Sequence, residues 1–421
     1  MSQTAPAADT EQVPAPQSTS VAGAVRAYFS RVAKGDVGGL PAVLGFLVLV
    51  VFFSLMRPDR FATTLNAANL LNQSAAIIFI AMGLVFVLLL GEIDLSAGYA
   101  AGSSAAVMTV LLTRYGVDWP VAVLACLLTG AVIGLCIGLL VARLGVPSFV
   151  VTLGWFLGLQ GVMLFVIGEG GTIPMRDETI LAIMNNNVAP VLGWGLAAVV
   201  VVGYAVITIR RTRERARADL HVEGMLVVGL KIALLAALLG GATYVLNQER
   251  SINPELTSLR GVPLIVPITL LFLVGLTFVL TRTAFGRHVY AIGGNVEAAR
   301  RAGIRVERVK VTCFMICSVL AAVAGILFAS RDHSVSPTTG GSITQLLAVG
   351  AAVIGGTSLF GGKGRVRDAI LGGLVVGVIA NGLPLITSKS AYQFMVTALV
   401  LLLAAAVDAV SRRRSIAAGR A

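Results

Sequence analysis

Apolar runs of about 17–25 residues recur along the chain, each long enough for an α-helix to cross a hydrocarbon core of about 30 Å. Twelve stand out, over residues 38–56, 75–90, 95–112, 119–142, 149–167, 188–209, 225–246, 263–281, 311–329, 345–361, 369–386 and 391–410. In lipid the backbone groups of a spanning segment must be satisfied internally, so such runs fold as helices. The expectation is an all-α fold, a polytopic membrane helix bundle with about 12 transmembrane helices. Composition agrees: 57% of the 421 residues are apolar and 12% charged, against roughly 45–50% and about 25% in soluble domains.

A net charge of +12 could point to nucleic acid, so its distribution decides. With both termini in the cytoplasm, the cytoplasmic segments carry 23 Lys and Arg and the opposite loops carry 8. That is the positive-inside pattern, and nucleic acid is not expected as a partner. Residues 1–36 read as a disordered cytoplasmic tail, rich in Ala, Pro, Ser and Thr, with a short interfacial helix around Val25, Tyr28, Phe29 and Val32. Residues 37–410 form the transmembrane domain, and 411–421 a cytoplasmic tail pinned by Arg412, Arg413 and Arg414.

The largest cytoplasmic loop, Arg282–Lys310, is basic and punctuated by glycine. Gly293 and Gly294 are expected to break the chain, with Asn295 as N-cap for a helix over Val296, Glu297, Ala298, Ala299, Arg300 and Arg301. Glu297 suits the positive end of the helix dipole and can pair with Arg300 or Arg301. Gly303 supplies the left-handed stop. A connection between two spans does not need such an element, whereas a soluble partner needs a surface of this kind to dock on.

Two glycine-rich breaks interrupt the apolar pattern. In Gly91–Gly98 two carboxylates, Glu92 and Asp94, precede Ser96 and the small-residue stretch that holds Ser103 and Ser104. They read either as helix caps at a tight turn or as a gate lining the path. The second break, Gly355–Arg365, resembles a phosphate loop but has Thr357 and Gly364 where the motif needs Gly and Ser/Thr. Both breaks share the spacing Gly-x3-Leu-x2-Gly, and paired interruptions in the two halves of a transporter mark its pathway. Asn72, Gln73, Gln160 and Asn381 are further polar side chains in or beside spans, available to a path or to bonds between helices.

No catalytic constellation appears. Cys126, Cys136, Cys313 and Cys317 fall within spans with no His or carboxylate nearby in sequence, so they read as small buried hydrophobes and not as metal ligands. The scarcity of titratable groups within spans disfavours an ion-coupled secondary transporter. The chain handles something polar without transforming it.

With these residues in view, the chain resembles the permease subunit of a bacterial ATP-binding-cassette sugar importer of the ribose/xylose type. The resemblance is densest in GEIDLSAG (Gly91–Gly98), GRHVYAIGGNVEAARRAGI (Gly286–Ile304) and LAVGAAVIGGTSLFGGKG (Leu347–Gly364). Glu92 stands where the family usually has a second glycine. The Arg-rich loop at 210–224 and the extra span at 225–246 resemble the longer, xylose-type members. The resemblance implies the importer permease fold in the inner membrane, and two permease copies that form a homodimer. It also implies cytoplasmic ATPase subunits that use ATP and dock on the Asn295–Gly303 helix, and a periplasmic sugar-binding protein. It implies no cofactor on this chain. A related permease for a non-sugar solute stays open beside it.

Overall fold

The computed structural model describes residues 39–218, 224–251, 253–255 and 258–399, together with 402 and 406. In chain order the helices are α1 (Leu40–Met56), α2 (Thr64–Leu89), α3 (Ala97–Arg114), α4 (Trp119–Ala142), α5 (Ser148–Ile167), α6 (Glu178–Asn185) and α7 (Pro190–Arg217). They continue as α8 (Met225–Leu246), α9 (Ile265–Arg282), α10 (Ala284–Gly294), α11 (Val296–Arg301), α12 (Val306–Asp332), α13 (Ser342–Gly355) and α14 (Val366–Ile386). Residues 390–399 are also helical. The two-residue strands β1 (Ile173–Pro174), β2 (Asn187–Val188), β3 (Val262–Pro263) and β4 (Ser334–Val335) pair antiparallel as β1–β4 and β2–β3.

The fold is the expected membrane helix bundle. The number of spans is lower among the described residues: eight helices are long and apolar enough to cross, against the twelve expected. α1 and α13 are apolar but short, and α3 is built largely from Ala, Gly and Ser. The last candidate, 391–410, lies mostly outside the described residues, as do the tails 1–36 and 411–421.

α2 starts eleven residues before the predicted 75. Thr63 caps it, its hydroxyl accepting from the Asn66 amide at 3.1 Å. Two of the polar side chains that obscured this start, Asn66 and Gln73, are bonded across the bundle. Asn66 and Asn381 of α14 exchange hydrogen bonds at 2.8 and 3.0 Å, and Asn381 also donates to Gln73 at 3.2 Å. Paired amides of this kind remove the cost of burying polar groups in an apolar helix.

Two sets of helices are arranged as an inverted pair. α2 and α12, the two most deeply buried long helices, run antiparallel at the centre. α4 lays Gly130, Gly134 and Gly138 against the α12 backbone at Ser318, Phe314 and Val311. α14 lays Gly373 and Gly377 against Ile78 and Ser74 of α2. Glycines at four-residue spacing bring helix backbones into close contact, which drives association where lipid supplies no hydrophobic force. Each central helix is followed by a short break and a shorter helix, α3 after α2 and α13 after α12. The structural counterpart of the Gly91–Gly98 break is therefore the 333–341 turn, and not Gly355–Gly362 as the shared spacing suggests.

Candidate functional site

At one end of the bundle α10 and α11 form a surface module, with Arg287, Arg300 and Arg301 exposed. Thr283 caps α10, its hydroxyl accepting from the Gly286 amide at 3.2 Å. Phe285, Val289 and Ile292 turn inward, at the i, i+4, i+7 spacing of an amphipathic helix. This helix runs through Gly293 and Gly294, where a break was expected. The chain turns one residue later, at Asn295, whose side chain accepts from the Ala298 amide at 2.9 Å. α11 then buries Ala299 and leaves Glu297, Ala298, Arg300 and Arg301 exposed, with Glu297 and Arg300 paired at 2.9 Å. Gly303 ends the module with φ +82°.

The two glycine breaks meet at this same end. The Gly362 amide donates to the Leu89 carbonyl at 2.9 Å, Gly293 packs against that carbonyl, and Tyr290 Oη donates to the Gly364 carbonyl at 2.8 Å. Glu92 has a partner that local sequence does not show. It pairs with Lys310 on the first turns of α12, and both side chains are largely shielded from solvent. Asp94 is fully buried, and its Oδ1 accepts from the Ser96 amide at 2.8 Å and from Ser96 Oγ at 2.6 Å. Asp94 thus closes a turn onto Ser96, the residue before α3, while Glu92 forms an ion pair with Lys310. Ser96 makes no side-chain cap of its own. The Asp94 carboxylate also meets the Cys317 thiol, a carboxylate neighbour that the linear sequence hides. Among the described residues no group of three or more His, Cys, Asp or Glu could hold a metal.

Inside the bundle α3 and α13 start back to back and run in opposite directions. The Thr339 and Gly340 carbonyls rest on Gly102 and Gly98, where any Cβ would collide with them. Gln345 joins the two starts: its Oε1 accepts from the Gly98 amide at 2.6 Å and its Nε2 donates to the Asp94 carbonyl at 2.8 Å. At 1.5 Å per residue α3 rises about 27 Å from this junction and α13 about 21 Å.

The remaining sequence candidates occupy separate places. Ser103 Oγ donates to the Leu159 carbonyl at 3.4 Å and Ser104 is fully buried, both on α3 close to the junction. Asn72 donates to the Met184 carbonyl at 3.2 Å. Together with Gln73 and Asn381 it makes a second polar zone along α2, away from Glu92 and Asp94. Gln160 stands half-buried on α5. Lys310, Gln345 and Asn66 were not singled out from the sequence, because their partners lie more than 200 residues away.

This bundle, with its capped surface helix and interrupted spans, matches a known family. The family described as "Branched-chain amino acid transport system / permease component" covers residues 66–405. The chain belongs to it. Among curated relatives, the permease is 34% identical to the xylose transport system permease protein XylH of Escherichia coli K12, over 89% of this chain and 92% of that one. XylH of Haemophilus influenzae is 32% identical over 88% and 96%. The ribose import permease protein RbsC of E. coli K12 is 31% identical over 87% and 92%. No solved structure matches the permease.

Proposed function

We propose that this permease carries a monosaccharide, xylose or a close relative, inward across the bacterial inner membrane as part of an ATP-binding-cassette importer. The observation that carries this reading is similarity to xylose and ribose permeases over 87–89% of the chain. The permease works as a homodimer with both termini in the cytoplasm, and the transmembrane domain covers 37–410. Cytoplasmic ATPase subunits bind Asn295–Gly303 and hydrolyse ATP, and a periplasmic sugar-binding protein delivers the solute. The permease itself binds no cofactor and catalyses no reaction. Glu92, Asp94 and Ser96 act at the gate. Ser103, Ser104, Asn72, Gln73, Gln160 and Asn381 contribute polar groups to the path or to the helix contacts around it, as suits an uncharged solute rich in hydroxyls. The test is reconstitution with an ATPase and a binding protein in proteoliposomes. Uptake of labelled xylose that needs ATP and survives an uncoupler supports the reading. Uptake abolished by the uncoupler with ATP intact overturns it.

A further inference from the structure

We infer that the Glu92–Lys310 ion pair is the strut that carries movement of the α10–α11 module to the α3–α13 junction, with Lys310 as a positioning residue. The two side chains are 218 positions apart in sequence, are 17% and 18% exposed, and join the α2–α3 break to α12. Four residues, 302–305, separate α11 from α12, so a push on α11 reaches the first turns of α12, where Lys310 sits. On the other side, Glu92 lies between Gly91, a left-handed residue at φ +75°, and Asp94, whose carbonyl is held by Gln345. The path from the surface helix to the buried junction therefore runs α11, Lys310, Glu92, Asp94, Gln345 and Gly98, through bonded neighbours all the way. An ion pair suits this place because it is stiff only while both charges are present, and a shielded charge that loses its partner is left uncompensated.

The inference rests on the importer reading, and its test separates the two. In proteoliposomes with ATPase and loaded binding protein, Lys310→Met and Glu92→Leu are expected to lower uptake by about tenfold, within the range of allosteric coupling. Permease–ATPase association and stimulated ATP hydrolysis persist, so hydrolysis becomes uncoupled from transport. Glu92→Gln, whose amide oxygen still accepts from Lys310, lies between them and the unmodified permease. The exchanged pair Glu92→Lys with Lys310→Glu restores uptake above either single variant. Single variants that transport normally, singles that lose ATPase association together with uptake, or an exchanged pair no better than the singles would each overturn the inference. Failure of the unmodified permease to use ATP would instead remove the importer reading.

Discussion

Gln345 is hydrogen-bonded to Asp94 across 251 positions of sequence, its side-chain amide donating to the Asp94 carbonyl at 2.8 Å. Because the same side chain also accepts from Gly98, Gln345→Leu strips two buried backbone groups of their partner at once. Each unsatisfied buried group costs about 1–3 kcal/mol, so the purified permease should melt at a clearly lower temperature, followed by tryptophan fluorescence. Gln345→Glu keeps the acceptor for Gly98 and should fall between. An unchanged Tm for the leucine variant would rule out the stitching role.

The surface helix makes a separate prediction. Asn295→Ala removes the cap on Ala298 and should cost about 1 kcal/mol of local stability, with a modest loss of uptake. Glu297→Arg places a cation in the first turn, against the helix dipole, and should abolish uptake while membrane insertion persists. Pull-down of the ATPase checks this, and undiminished capture by Glu297→Arg would argue that α11 is not the docking element.

Topology can be read with thiol reagents. Thr212 lies in the basic C-terminal stretch of α7, and Ser251 lies in the loop after α8. Single cysteines at these two positions, in a background lacking the four native ones, should react with an impermeant reagent from opposite sides. Reaction from the same side would mean that α8 does not cross.

Acid should loosen the loop that follows α8. Glu249 is held down to about 2 by the Leu259 and Ser251 amides and the Ser258 hydroxyl, all bonded to its carboxylate. A depressed carboxylate stabilises the fold in full above its unfolded value of about 4.3 and loses that contribution as pH falls toward the folded one. The permease and its Glu249→Gln variant should therefore differ in Tm at pH 6, and the gap should narrow below pH 4 and close as the pH nears 2. A gap that widens on acidification would refute the assignment.

The bundle was readable from the chain because hydrophobic length is a local property, as the close agreement of α4, α5 and α8 with their expected bounds shows. α11 was readable for the same reason, since Asn295, Glu297, Arg300 and Gly303 signal within nine positions. α10 was missed although Thr283, Phe285, Val289 and Ile292 carry a cap and an apolar stripe, because the two glycines at its end read as a break. The early start of α2 was hidden by Asn66, Asn72 and Gln73, which bond to Asn381 and Met184 far along the chain. Lys310 looked like one more positive-inside charge, and Gln345 like the first residue of a span. Their partners depend on the antiparallel packing of α2 with α12 and on the back-to-back start of α3 and α13, which no local pattern encodes.

The back-to-back start of α3 and α13 joins the two helices through very few atoms. Where the two helices meet, the Gly340 carbonyl lies against Gly98, and a single glutamine, Gln345, bridges the Gly98 amide and the Asp94 carbonyl. A slide of one helix past the other by one turn, about 5.4 Å, would clear the contact. Such a shift parts the glycine contact and the glutamine bridge, whereas the glycine contacts of α4 with α12 and of α14 with α2 involve neither of the two helices.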